Sequence, residues 1–246
     1  MDFTERSYRK SHRQEDLVHF QLAVQETDLD IGVRKERFSP ELVEWVGEMI
    51  QACRRPLEDY IKKDPGFLSS LIPYTILPDA PEIVQTMAEA GRLAGVGPMA
   101  AVAGAVSEWV GKCIAKRSRD VIVENGGDIY MRTSRIRKVG IFAGESPLSN
   151  RVAIEVKPNQ TPLGICTSSG KVGHSLSFGK ADAVVVLSPS VPLADAVATA
   201  TGNLVKTTDD LERALEFASQ IEGVTGILVI KDDRLAVWGS VKLLPM

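Results

Sequence analysis

The chain is poor in the residues that mark specialised protein classes. Its 246 residues include three cysteines, three histidines and only 6% aromatics. Cys53, Cys113 and Cys166 are odd in number and widely separated, which argues against a disulfide framework and against a zinc site of paired ligands. No excess of one charge is present either. With 29 basic against 32 acidic residues the net charge is −3, which gives no general attraction to nucleic acid. The short basic groups at 116–119 and 132–138 read as solvated loops. No charge-free run reaches the roughly eighteen residues of a membrane span, and residues 1–6 lack the apolar core of a signal peptide. No Ser/Gly/Pro-rich linker divides the chain. These absences lead to the expectation of a cytoplasmic protein with reduced thiols and no nucleic-acid or membrane partner. The 44% hydrophobic content suffices for a real core, in one domain or two intimately packed halves.

The hydrophobic period changes along the chain and gives an α+β class. Alternation over 17–24 and 29–33 predicts a hairpin, with Glu26, Thr27 and Asp28 as its turn. Ser39 and Pro40 look like a cap and a first-turn proline. The helix they open carries Leu42, Val43, Val46, Met49, Ile50 and Cys53 at spacings of three and four, and Pro56 is expected to end or bend it. A second helix from Pro81 and Glu82 puts Ile83, Met87, Ala90 and Leu93 on one face and stops at Gly95. A third, over 99–116, is so rich in small residues that its backbone can press against another element or a ligand. Strands follow at 120–123 and 129–131 around Gly126-Gly127, with 138–143 and 152–156 expected to continue the sheet. Further strands fall at 163–166 and 181–187, helices at 193–205 and 211–221, and a closing hairpin over 226–239.

Residues that carry chemistry cluster at the ends of these apolar runs. Asp195 and Thr199 lie four apart on one helix face, where they could offer a carboxylate and a hydroxyl to one octahedral magnesium ion. Equally, Asp195 could cap its own helix and Thr199 bond back to a carbonyl. Ser168, Ser169 and Gly170 could direct backbone amides and hydroxyls at a phosphate, with Lys171 neutralising it; the same tripeptide is ordinary turn chemistry. His174 could serve as an acid or base, or as a surface histidine without a role. Gly126 and Gly127 admit close backbone approach to a ligand, and Asp128 could orient a ligand hydroxyl or tie up its own turn. Cys166 reads as a small core residue, because neither neighbour is a base. Trp45, Trp109 and Trp238 read as core or interface aromatics, any one of which could border a flat ligand.

The order of these motifs resembles the ApbE-like proteins, whose best-known members are magnesium-dependent transferases moving FMN from FAD onto a protein hydroxyl. Four segments are similar: the small-residue helix at 99–108, the turn Gly126-Gly127-Asp128-Ile129, the loop Ser168-Ser169-Gly170 with His174 beyond it, and Ala194-Asp195-Ala196-Val197-Ala198-Thr199. The similarity covers roughly residues 80–205 and is greatest to a small uncharacterised branch sharing the phrase at 96–105. It implies a T-fold-related architecture of mixed antiparallel sheets packed with helices. It also implies a magnesium site at Asp195 and Thr199 with a backbone carbonyl near Ala101 to Ala103, Asp195 and His174 as catalytic groups, and FAD or another nucleotide phosphate at Gly126, Gly127, Asp128, Ser168, Ser169, Gly170 and Lys171. The chain departs from the transferases where Ala103 replaces a lysine and where Ser175-Leu176-Ser177 replaces an isoleucine-aspartate-proline phrase after His174.

Three readings therefore stay open. The first is a transferase of a phosphate-linked group such as FMN. The second is a binding or sensing module that keeps the pocket without the chemistry, and the third is an oligomeric scaffold whose small residues serve packing alone.

Overall fold

The computed structural model describes residues 14–170 and 178–246. Strands β1 (Leu17–Val24) and β2 (Thr27–Arg34) form the first hairpin. Its turn is Gln25 and Glu26, earlier than expected: Gln25 takes φ 54°, so the tight two-residue connection lets Thr27 and Asp28 join the strand. Helix α1 (Pro40–Lys63) begins as expected, with Ser39 Oγ accepting from the Leu42 amide at 3.2 Å and Pro40 in the first turn. It does not stop at Pro56. That proline is exposed, and the residues beyond it are held by burial of Leu57 and Tyr60 on the core face, so packing outweighs the lost backbone bond.

Helix α2 (Gly66–Ser69) is a single turn, and α3 (Glu82–Ala94) ends at Gly95, left-handed at φ 74°. Ile83, Met87 and Ala90 face inward as expected, whereas Leu93 is partly exposed. A 3₁₀ turn at Pro98–Ala101 leads into α4 (Val102–Ala115), so the small-residue segment is helical with a tightened entry.

Strands β3 (Val121–Asn125) and β4 (Asp128–Arg132) form the expected hairpin, followed by β5 (Arg137–Gly140), β6 (Val152–Val156), β7 (Leu163–Ser168) and β8 (Ala183–Ser188). Helices α5 (Val191–Leu204) and α6 (Leu211–Ser219) precede the closing hairpin of β9 (Gly226–Lys231) and β10 (Arg234–Gly239) and a short β11 (Leu243–Pro245). The main sheet has eight strands in the order β1-β2-β3-β4-β7-β8-β9-β10, every neighbour antiparallel. Strands β5 and β6 do not continue it. The free edge of β4 is taken by β7, with Met131 opposite Leu163 and Asp128 opposite Cys166, so β5 and β6 pair with β11 in a separate three-stranded sheet.

The alternation of the main strands divides the interior into two cores. Ile31, Val123, Val184 and Ile227 point to one face and pack under α1, α3, α4 and α5. Ile122, Met131, Ile165 and Leu228 point to the other and meet Val139, Ile154 and Val156 of the small sheet. Every candidate side chain described below lies on the helical face.

Candidate functional site

The site grows from one cross-sheet row. Asn125 is the register partner of Asp128 across the β3–β4 turn, and Asp128 is the partner of Cys166 on β7, so all three side chains leave the sheet on the same side. Gly126 and Gly127 form the intervening two-residue turn at φ 67° and 106°, a backbone that glycine adopts without strain. The Gly127 amide donates to Glu124 Oε1 at 2.7 Å, and its carbonyl accepts from the Thr167 amide at 3.2 Å. Turn geometry thus favours this glycine pair whatever the turn binds, most strongly at Gly127.

Above that row the first turns of α4 and α5 run past each other. Gly104 is the point of contact: a Cβ there would lie 2.7 Å from the Val191 carbonyl oxygen and 2.9 Å from Asp195 Cβ. The Gly104 amide donates to Asp195 Oδ2 at 2.8 Å. The expectation that Asp195 caps its own helix is therefore corrected, since its carboxylate takes an amide at the N-terminus of α4 instead. Reciprocally, Glu108 Oε2 on α4 accepts from the amide of Val191, the first residue of α5, at 2.6 Å. Neither helix has a side-chain cap from its own sequence or an acidic residue in its own first turn, so each receives its acid from the other. This is where the small-residue run is needed. Glycine and alanine let the two backbones approach closely enough for the exchange.

Asp195 and Asp128 meet in this enclosure. Burial pushes Asp195 up to about 7, opposed by the amides of Gly104 and Ala103. Burial, and then the Asp195 charge, push Asp128 well above the usual carboxylate range, opposed in part by the Cys166 thiol and the Thr167 amide. Cys166 is fully buried, its thiol donating to the Val191 carbonyl at 3.4 Å; burial and the two carboxylates push it well above the ordinary thiol range, so it is a packing residue, as expected. Among the described residues no Lys or Arg forms an ion pair with either carboxylate. Thr199 follows Asp195 by one helical turn and is half-buried. The Ala103 carbonyl accepts from Asn125 Nδ2 at 3.1 Å, and Ala101 is fully buried in the 3₁₀ turn that packs on α5.

The serine loop lies at the far end of α5. Ser168 ends β7, and a Cβ at Gly202 would stand 3.6 Å from its Oγ. Ser168 thus sits beside the last turn of the helix that carries Asp195 and Thr199, and the Gly170 amide donates to the Ala181 carbonyl at 2.9 Å. Lys171 and His174 lie outside the described residues.

A cleft of about 590 Å³ opens next to the row, sharing Asn125 with it and bordered by Ala103 of α4. Leu57 and Ile61 of α1, Leu68 of α2, and Met99, Val102 and Val106 form its apolar walls. Its arginine is already engaged. Arg54 donates to Thr27 Oγ1 and Gln25 Oε1, each at 2.6 Å, and pairs with Glu26 at 2.6 Å and Glu58 at 2.9 Å. Lys62, the other cation of its lining, donates to Asp59 Oδ1 at 2.9 Å, so the cleft suits an apolar ring better than a phosphate. Leu57, Ile61 and Leu68 escaped the sequence reading because an amphipathic helix gives no sign of which buried position borders a void, whereas Met99, Val102 and Val106 belong to the small-residue segment that the sequence singled out. Glu108 and Asn125 escaped because their partners are distant in sequence. Of the tryptophans, Trp45 lies under the Arg117 guanidinium, 3.7 Å from its ring centre, and Trp238 is exposed on the edge strand β10.

An eight-stranded antiparallel sheet packed under helices, with a second small sheet on its other face, is the fold of the solved ApbE structures. Among solved structures, a variant of the flavin transferase ApbE from Vibrio cholerae superposes with a TM-score of 0.59 at 13% identity, covering 91% of this chain and 97% of that one. The apo flavinyl transferase ApbE from Pseudomonas stutzeri gives 0.52 at 14% identity, covering 90% and 94%. The family model described as "AbpE bacteria" matches residues 9–235, and the chain belongs to that family. Relatives in the same branch carry only the description "UPF0280 protein". The one from Methanococcus aeolicus is 38% identical over 92% of this chain and 91% of its own length. That from Methanosarcina acetivorans is 41% identical over 91% and 86%.

Proposed function

We propose that the protein binds a phosphate-bearing small molecule, a flavin or another nucleotide, together with a divalent cation such as magnesium, between the small-residue helical segment at 99–108 and the main sheet. The observation that carries this reading is the adjacent Asp128–Asp195 pair, the first buried and the second half-buried, which has no cationic partner among the described residues. Two such carboxylates without a counter-ion are costly to enclose, and a cation removes the cost. The donor set fits a hard ion: Asp195, the Thr199 hydroxyl one turn on, and the backbone of residues 101–103 alongside. It is not an all-carboxylate cage, since among the described residues no group of three His, Cys, Asp or Glu is placed to hold a metal ion. That suits magnesium, which commonly takes one or two carboxylates and completes its shell with water and phosphate oxygens.

In this reading Asp195 and Thr199 hold the ion, the Ser168–Gly170 segment faces the phosphates, and the apolar cleft takes the ring. When bound, magnesium would polarise the phosphate and stabilise charge on a leaving group. Asp195 and His174 are the groups we assign to transfer chemistry on a phosphate-linked group such as FMN. Unpaired Cys53, Cys113 and Cys166 accord with a reducing, cytoplasmic setting. A binding module without chemistry is the second reading, favoured by Ala103, which leaves a methyl group in the cleft wall where the transferases place a lysine.

Calorimetric titration with FAD, FMN, ADP and ATP, with and without magnesium, tests the proposal. Magnesium-dependent binding that disappears in Asp195→Ala is expected. Failure of every nucleotide to bind the wild type would overturn it.

A further inference from the structure

We propose that Glu108 is a positioning residue for the Asp195 site, acting through the backbone of Val191. The inference rests on the reading of Asp195 as a ligand-binding carboxylate. Glu108 and Gly104 are one turn apart on α4, and Val191 and Asp195 are one turn apart on α5. The first pair is bonded to the second crosswise, Gly104 N to Asp195 Oδ2 at 2.8 Å and Glu108 Oε2 to Val191 N at 2.6 Å. Two rigid helical turns joined at both ends can neither slide nor rotate past each other. Were the Glu108 bond absent, α5 could pivot about Gly104, and the Asp195 carboxylate would swing relative to Asp128.

The thiol of Cys166, bonded to the Val191 carbonyl at 3.4 Å, pins the same residue from the sheet side but is a weak donor. Glu108 is itself fixed: its side chain is 12% exposed and its other oxygen takes the Lys112 ammonium one turn along. Its carboxylate does not reach the Asp128–Asp195 enclosure by any hydrogen bond among the described residues, so its effect on a ligand passes through α5.

The test uses amide hydrogen exchange by NMR on the full chain, alongside calorimetry with magnesium and ADP. Glu108→Met keeps the length of the side chain and removes the acceptor. We expect exchange at Gly104 to accelerate about five- to tenfold, the size of a lost helix cap, while Val185 and Val186 in the central strand stay within about twofold of wild type. Glu108→Gln retains an acceptor oxygen and is expected to show an intermediate acceleration of about threefold at Gly104. Magnesium-dependent affinity for ADP should fall in parallel with Gly104 exchange across the two variants. An unchanged Gly104 amide in Glu108→Met overturns the assignment; should that variant not fold, an unchanged amide in Glu108→Gln does so. A wild type that binds no nucleotide defeats the function proposed above, while the exchange data still decide the role of Glu108.

Discussion

The Gly104 amide donates to Asp195 Oδ2 at 2.8 Å across 91 residues of sequence, making Asp195 the N-terminal cap of a helix to which it does not belong. Under the proposed function the same carboxylate also holds the cation. A residue that is both cap and ligand can be probed by separating the two roles. Asp195→Asn keeps an acceptor for Gly104 and loses the charge. Its melting temperature should stay within a few degrees of wild type, whereas Asp195→Ala should lose about 1 kcal/mol more as the cap disappears. Magnesium-dependent nucleotide binding should be lost in both. Differential scanning calorimetry and titration calorimetry on the same preparations separate the two effects.

Gly104 tolerates no side chain. A methyl group there would meet the Val191 carbonyl at 2.7 Å and Asp195 at 2.9 Å, both on a packed helix. Gly104→Ala should destabilise by about 1–3 kcal/mol, and by roughly 2–4 °C for each kcal/mol. Gly126→Ala is the informative contrast. Nothing lies within 4 Å of its added carbon, and its φ of 67° costs only about 1 kcal/mol of backbone strain. Chemical denaturation of the two variants should rank them in that order.

Ile61 lines the cleft from the α1 side, away from Asp195. Replacing it with Trp should fill the void and weaken nucleotide binding about tenfold or more, with little change in melting temperature. Loss of affinity at unchanged magnesium dependence would locate the ring in the cleft, since one blocked apolar contact is worth about 1–3 kcal/mol.

Far from the site, Asp120 gives the fold an acid-sensitive anchor. Burial works against its charge. The amide and hydroxyl of Ser134, the Arg34 guanidinium and the Thr133 hydroxyl nonetheless hold its carboxyl down to about 2. A carboxylate depressed on folding stabilises fully above its unfolded pKa near 4, and that contribution fades as pH falls from about 4 towards 2. Urea unfolding at pH 6 and pH 3 should show a fall in stability that is smaller in Asp120→Asn by about 1–2 kcal/mol.

Pro56 interrupts the backbone ladder of a helix whose apolar face is otherwise continuous. Pro56→Ala should stabilise the protein by about 1–2 kcal/mol, the restored hydrogen bond exceeding the entropy returned to the unfolded chain. A lower melting temperature would show that α1 is adapted to its proline.

Much of this architecture is legible in the one-dimensional pattern, and the exceptions have physical causes. Ser39-Pro40 announces α1, Gly95 ends α3, and Gly126-Gly127 places a hairpin turn, because caps and left-handed turns are local chemistry. Pro56 misleads because burial of Leu57 and Tyr60 overrides a local rule. Strands β5 and β6 read correctly as strands, but which sheet they join depends on β7 occupying the edge of β4, a competition between segments some thirty residues apart. The candidate site divides in the same way. Asp195 and Thr199 reveal themselves through helical spacing, whereas Glu108 looks like any solvent-facing acid until α5 is laid across it.

The eight-stranded sheet keeps its two interiors apart, and this partitions tolerance to sequence change. Beneath the helices, Gly104 is bonded to Asp195, Asp195 acts on Asp128 by charge, and Glu108 and Asn125 hold the backbones of Val191 and Ala103 beside them, so drift there must be concerted. On the opposite side, Val139, Ile154 and Val156 have only to remain apolar and of similar bulk. Under the proposed function, new specificity would arise by altering the cleft walls while the small sheet, free to vary, continues to close the far side of the molecule.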